Sequence, residues 1–360
     1  METSGGVYVM ACYCCINGDD CYVSNTKVDS YWHVMSEIDA TNRYVYIQLT
    51  DGKFEFSGAH FSSCKNSTFD TSNWYIDNEK YRYSMAGMFS DCTYLKSIDL
   101  SRFDFSKATS FEGMFKNCTS LESPIEINAP TLKWENVSLS EMFCKCSALS
   151  TIKLNFNPKQ NSIGSMYYTF GICKKLKNLT LNLGEIHPTS LVGTFSQCEV
   201  LGPWLDLRDF YGERCTSFSS MFRNCYKLEL LNLYNITDVS NASGFTDMFY
   251  GDSKLSTVII APNTRWRVPH AIDNIDADMF KNCTSLPGYP LYAATVLNYE
   301  LDRANSLQPG VIGYFRGGPY DPRVPELVSA IYYKDNGQWV QIDNVLLKED
   351  NSWIAQDLYS

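Results

Sequence analysis

One feature constrains this chain more than any other: it repeats itself. Met88 and Phe89, with Cys92, Leu95, Ile98 and Leu100 behind them, return as Met114, Phe115, Cys118 and Leu121. They return again as Met142, Phe143, Cys146, Leu149, Ile152 and Leu154. Looser copies follow at Phe170 (Cys173, Leu176, Leu179, Leu181) and Phe195 (Cys198, Leu201, Leu205, Leu207). Met221 and Phe222 restore the full form, with Cys225, Leu228, Leu231 and Leu233. Met248 and Phe249 keep it except that Asp252 stands where cysteine is expected, and Met279, Phe280, Cys283 and Leu286 form a last fragment. Successive phenylalanines lie 26, 28, 27, 25, 27, 27 and 31 residues apart. A unit of about 27 residues cannot hide its own Met, Phe, Cys and Leu from water, but stacked units share a continuous core. The repeat therefore predicts a solenoid.

Each unit reads the same way. A polar residue and a short helical turn come first, with Thr109 and Glu112 at capping-box spacing before Met114 and Phe115. Cysteine and leucine follow, then a short strand of the Leu-x-Leu type that pairs in parallel with the next copy. Two units carry one extra residue before the strand, at Pro124 and near Trp204, which predicts bulges in the connecting turn. Phe61 and Cys64, one period before Phe89, suggest a capping coil. Of fourteen cysteines, Cys92, Cys118, Cys146, Cys173, Cys198, Cys225 and Cys283 hold one repeat position. That placement reads as a ladder of small buried hydrophobes in a reduced chain, not as a disulfide framework.

The flanks are different. Residues 1–60 predict a β-hairpin module: Val7–Ile16 returning through Asn17-Gly18 to Cys21–Ser24, and Arg43–Thr50 returning through Asp51-Gly52 to Lys53–Ser57. Cys12, Cys14, Cys15 and Cys21 cluster there. Their spacing is unusual for zinc, and thiols without a metal are the default. The solenoid with its caps is assigned residues 61–315, and a Gly/Pro linker residues 316–326. Residues 327–360 form a second small β-hairpin module, in which Ile331–Val340 is echoed by Val345–Ile354 with Lys334 and Lys348, and Trp339 and Trp353, in register at a 14-residue period. Tyr332, Lys334, Trp339, Lys348 and Trp353 are its candidate attachment residues.

Composition excludes several functions. A net charge of −10 argues against general nucleic-acid affinity, which needs a basic footprint. No apolar run approaches the ~20 residues of a membrane span, and the first residues lack the basic and apolar regions of a signal peptide. Phosphate loops, nucleophile elbows and His-Glu-x-x-His motifs are absent from the sequence. His33, His60, His187 and His270 are scattered, and Cys215 has no identifiable base beside it. The expectation is a protein without enzymatic activity, cofactor or metal; a glycan-active enzyme stays open because carboxylates are plentiful.

The Met-Phe-x-x-Cys-x-x-Leu-x-x-Leu-x-Leu unit resembles the BspA-like leucine-rich repeat family of bacterial surface proteins, over Met88 to Leu286. That resemblance implies a right-handed leucine-rich-repeat solenoid with parallel strands on one face, flanked here by β-hairpin modules, and a role as adhesin or binding scaffold. The C-terminal echo is similar to short tail repeats of bacteriophage structural proteins. A virion protein needs no export signal and folds in reducing cytoplasm, so the two resemblances together imply a phage virion component, made in the host cytoplasm; the alternative is a bacterial cell-surface adhesin. Its partners would be other virion subunits or copies of itself, and a host-surface glycan or protein.

Function is then expected on the surface. Within the Leu-x-Leu strand the intervening side chain points away from the core. That gives one outward column, Asp99, Glu126, Lys153, Thr180, Asp206, Asn232 and Ile259, and a second, Ser101, Asn128, Asn155, Asn182, Arg208, Tyr234 and Ala261. From Asp99 to Tyr234, this asparagine-rich face is the candidate binding surface.

Overall fold

A computed structural model of the 360-residue chain describes most of residues 84–156, 163–262 and 278–289, with 314–317, short stretches between 62 and 69, and strand backbone alone at 7–12, 45–49 and between 332 and 357. The chain forms two units, Met1–Asp321 and Pro322–Ser360.

In the first unit, β1 (Val7–Cys12) pairs antiparallel with β2 (Val45–Leu49). β1 thus has a partner more than thirty residues on along the chain. The expected returning strands at 21–24 and 53–57, and the side chains of Cys12, Cys14, Cys15 and Cys21, lie outside the described residues.

The repeat folds into a parallel β-solenoid with coils of about 27 residues. One wall is built from the Leu-x-Leu strands. β3 (Thr68–Phe69) has a parallel partner two strands on along the chain. β4 (Tyr83–Ser84) lies between them in sequence, and β5 (Ser97–Ile98) is the partner of β3. β6 (Ala108–Ser110) pairs with β4 on a second wall. β7 (Ile125–Ala129), β8 (Thr151–Phe156) and β9 (Asn178–Asn182) form a three-stranded parallel sheet on the first wall. β10 (Trp204–Asp206), β11 (Leu230–Asn232), β12 (Thr257–Ile259) and β13 (Phe315–Arg316) form a four-stranded one. The wall thus breaks twice, between β5 and β7 and between β9 and β10. Both breaks fall at the coils with an extra residue. In a coil of ordinary length the two amides entering the strand, Lys177 and Asn178, donate to Ser150 O at 3.0 Å each. In the Pro124 coil the equivalent amides, Glu122 and Ser123, still donate to Lys96 O at 3.0 and 3.2 Å, and Pro124 is added between them and β7. In the other long coil Pro203 stands at the second of these two positions, and proline has no amide to donate.

The turn that opens each coil is not helical; over residues 84–286 no described residue is. This corrects the expected helical turn and its capping box. The segment Phe111–Cys118 is an arch of overlapping turns in which amides alternate in direction. Those of Phe111, Gly113, Phe115 and Asn117 donate to carbonyls of the next coil at 2.7–2.8 Å, while those of Met114, Lys116 and Cys118 close turns onto residues three back. Two residues per arch adopt left-handed backbone, four apart: Gly113 and Asn117, Glu141 and Lys145, Tyr168 and Ile172, Gly193 and Gln197, Ser220 and Asn224. Left-handed backbone costs an L-residue about 1–2 kcal/mol, and each such residue here secures a hydrogen bond to the next coil. Ser110 Oγ accepts the Glu112 amide at 3.1 Å. The same serine-to-amide bond recurs at Ser84, Ser138, Ser165, Ser190 and Ser217.

The core is a set of columns. Phe89, Phe115, Phe143, Phe170, Phe195, Phe222, Phe249 and Phe280 stack face to face, with centroids 5.1–5.9 Å apart and planes within 13°. The stack ends where Tyr314 and Phe315 meet Phe280 edge-on, at 4.9 and 5.9 Å. Beside it runs the cysteine column. Cys118, Cys146, Cys173, Cys198 and Cys225 are buried and donate Sγ–H to the carbonyl of the previous coil's phenylalanine at 3.0–3.2 Å. Nine described cysteines are free thiols. At the other end the ladder reaches back to residues 63–69, where the Ser63 amide donates to Ser90 O. No described helix is long and apolar enough to cross a membrane.

In the second unit β14 (Tyr332–Asp335) pairs antiparallel with β15 (Gln338–Gln341), and β16 (Asn344–Glu349) with β17 (Ser352–Asp357).

Candidate functional site

The outward wall begins with pleat. On β7, Ile125, Ile127 and Ala129 are buried while Glu126 and Asn128 are exposed, and β8 continues the alternation. Parallel pairing then sets identical positions beside each other: Glu126 beside Lys153, Asn128 beside Asn155, Lys153 beside Thr180, Asn155 beside Asn182. The predicted columns therefore exist over β7–β9.

Their side chains bond to one another. Asn155 Nδ2 donates to Asn128 Oδ1, and Asn182 Nδ2 to Asn155 Oδ1, each at 2.6 Å. Glu126 Oε1 accepts from Lys153 Nζ at 3.0 Å, Asn128 Nδ2 at 3.1 Å and Asn155 Nδ2 at 3.3 Å. The Lys153 bond and then the Asn128 bond hold the Glu126 carboxyl below its ordinary range. Asn128 and Asn182 each donate one of these bonds and Asn155 donates two, which leaves amide hydrogens on Asn128 and Asn182 and carbonyl lone pairs in the column for a partner. The face is thus polar, with its side chains bonded to one another before anything binds.

Beyond the break the face changes character. Trp204 is 59% exposed on β10, in register with Leu230. Asp206 and Arg208 pair with each other at 2.9 Å. Val200 and Tyr226 are also exposed. Asn232 departs from expectation: it is buried, and its Oδ1 accepts the Tyr234 amide at 3.1 Å, so it caps a turn and presents little to a partner. Tyr234 is half-buried. Upstream, Asp99 is exposed and accepts the Ser101 amide at 2.8 Å. Leu179 and Leu181, read as core, are only half-buried; among the described strands none pairs with the far edge of β9.

In the C-terminal unit the register sets Lys334 opposite Trp339 and Lys348 opposite Trp353, so the 14-residue echo produces the same cross-strand pair twice; Tyr332 stands opposite Gln341.

One polar pair escaped the sequence reading. His187 Nδ1 contacts Glu213 Oε1, and the His187 ring stacks on Tyr211 with centroids 4.6 Å apart. His187 and Glu213 are 26 residues apart, one coil, so aligning all positions of the repeat would have placed them side by side. Cys215 is buried and donates to Ser217 O at 3.2 Å; burial pushes its thiol up to about 12. His33, His60 and His270 lie outside the described residues.

Three overlapping stretches, residues 56–154, 137–261 and 189–289, match a protein family described as Mycoplasma protein of unknown function, DUF285. Together they run from residue 56 to 289, about two thirds of the chain. No curated protein matches the chain.

Proposed function

The chain belongs to the DUF285 family, and from that premise we propose that it is a non-enzymatic recognition protein whose outward wall meets a macromolecular surface. The observation that carries this is the hydrogen-bonded column of Asn128, Asn155 and Asn182. Binding costs affinity whenever side chains must be ordered, and here the ordering is already done by neighbours. Asparagine amides and the Glu126–Lys153 pair suit the hydroxyls of a glycan, and the exposed Trp204 offers a flat ring for a sugar face. The coil reads as a leucine-rich repeat of the BspA-like type, which supports a binding scaffold by analogy of fold.

We place the protein in a bacteriophage particle, as a tail, fibre or head-decoration component attached through the C-terminal hairpins. The twofold Lys–Trp echo supports this. A second setting, a bacterial cell-surface adhesin, is favoured by the family's description as a Mycoplasma protein. Mass spectrometry of purified particles separates the two: the chain is recovered as a stoichiometric component in the first setting and is absent in the second. Binding of the purified chain to a glycan array tests the shared claim. Retention on a restricted set of glycans, lost on Trp204→Ala, is expected; turnover of any arrayed glycan, abolished by one carboxylate substitution, would replace recognition with enzymology.

A further inference from the structure

Asp252 occupies the cysteine column. Cys146, Cys173, Cys198, Cys225 and Cys283 each make two contacts with the previous coil. The Sγ–H donates to the phenylalanine carbonyl, as Cys198 does to Phe170 O at 3.2 Å and Cys225 to Phe195 O at 3.1 Å. The sulfur also faces the amide of the previous ladder residue: Cys118 for Cys146, Cys146 for Cys173, Cys173 for Cys198 and Cys198 for Cys225. Asp252 keeps the second contact, since Oδ1 accepts the Cys225 amide at 2.7 Å. Oδ2 is left, buried and without a partner, in a residue of zero exposure. The acceptor that the column offers at this point is Phe222 O, the counterpart of Phe195 O and Phe170 O. An ionised carboxylate only accepts hydrogen bonds, so it cannot take the thiol's place; a neutral acid can, accepting with one oxygen and donating with the other.

We propose that Asp252 is held as a neutral carboxylic acid whose Oδ2 hydrogen goes to the Phe222 carbonyl, making the joint between the coils of Phe222 and Phe249 the proton-dependent joint of the thiol ladder. Burial supports this by pushing the Asp252 carboxyl well above its ordinary range. The titratable groups facing it are Cys225 from the previous coil and Cys283 from the next, both held well above the usual thiol range by burial and therefore neutral. No countercharge is supplied by either.

The consequence for stability has a definite sign. With the folded pKa raised, the native state keeps a proton that the unfolded state loses above about pH 4. Stability contributed by this joint is complete below that pH and is lost as pH rises through the folded pKa, by up to tenfold in the folding constant per pH unit.

Denaturant unfolding of the full chain between pH 5 and 9, for wild type, Asp252→Asn and Asp252→Cys, tests the proposal. Asparagine keeps an acceptor and a donor in the same places and does not titrate; cysteine restores the ladder. The wild type is expected to lose stability with rising pH relative to both. Its infrared spectrum at pH 7 is expected to carry the carbonyl band of a protonated carboxyl, and folded variants to lack that band. Superimposable pH profiles, or no such band in the wild type at pH 7, would overturn the proposal, and the second readout needs no variant to fold.

Discussion

At the scale of the residue, each apolar position does one job in one column. Phe170 stacks between Phe143 and Phe195, 5.9 and 5.5 Å away, and is fully buried. Phe170→Ala should cost about 3–5 kcal/mol, the usual range for emptying a buried aromatic site, read as a lowered denaturant midpoint. The cysteines make a weak bond and fill a small space, and burial raises thiols such as Cys173 far out of reactive range. Alkylation at pH 8 followed by peptide mapping should therefore leave Cys92, Cys118, Cys146, Cys173, Cys198, Cys225 and Cys283 unlabelled in the folded protein. Rapid labelling of this set would show that the column is open to solvent. These roles were legible in the sequence because a burial pattern repeats at one period. The serine-to-amide bonds were not read, although Ser110, Ser138, Ser165, Ser190 and Ser217 recur five residues before each phenylalanine. Serine does not announce a turn by hydrophobic pattern, and Thr109 with Glu112 offered a more familiar local explanation.

At the scale of the element, the arch was the misjudged piece. Short polar–apolar segments with capping-box spacing favour a helical turn when considered alone. Here half the amides are claimed by the next coil, which local sequence cannot reveal. Gly193 shows how tightly the arches interlock: its φ is +60°, and a Cβ there would lie 2.5 Å from the Tyr168 ring. Gly193→Ala should destabilise by about 2 kcal/mol or more from left-handed strain and the clash together. Combined with Tyr168→Ala, the clash component should vanish, so the double variant should be less destabilised than the sum of the singles. Strict additivity would mean that the ring moves aside freely. The strand wall was read well in its alternation and poorly in its continuity. Pro124 and the extra residue near Trp204 were visible, but that the ladder breaks at both coils shows only once the strands are paired.

For the whole molecule, stability should be a sum of coils and the joints between them, because each coil touches mainly its neighbours. The chain's second unit, Pro322–Ser360, is compact by itself. A chain ending at Asp321 should therefore keep the solenoid's unfolding transition while losing any attachment that the Lys334–Trp339 and Lys348–Trp353 pairs provide. A large fall in the solenoid's midpoint would mean that the two units fold together. The outward face was only half legible: the polar columns of β7–β9 follow from period and pleat alone. The burial of Asn232 follows from the turn it caps, and Trp204 stands on the strand beside a break in the wall.

The columns inside make the fold, and the wall outside is the proposed seat of function. The most direct measurement is glycan-array binding by the triple variant Asn128→Ala, Asn155→Ala, Asn182→Ala, beside its unfolding curve. A midpoint near that of the wild type is expected, since exposed hydrogen bonds contribute little net stability, together with loss of the glycans that the wild type retains. Unchanged retention by a folded triple variant would contradict it.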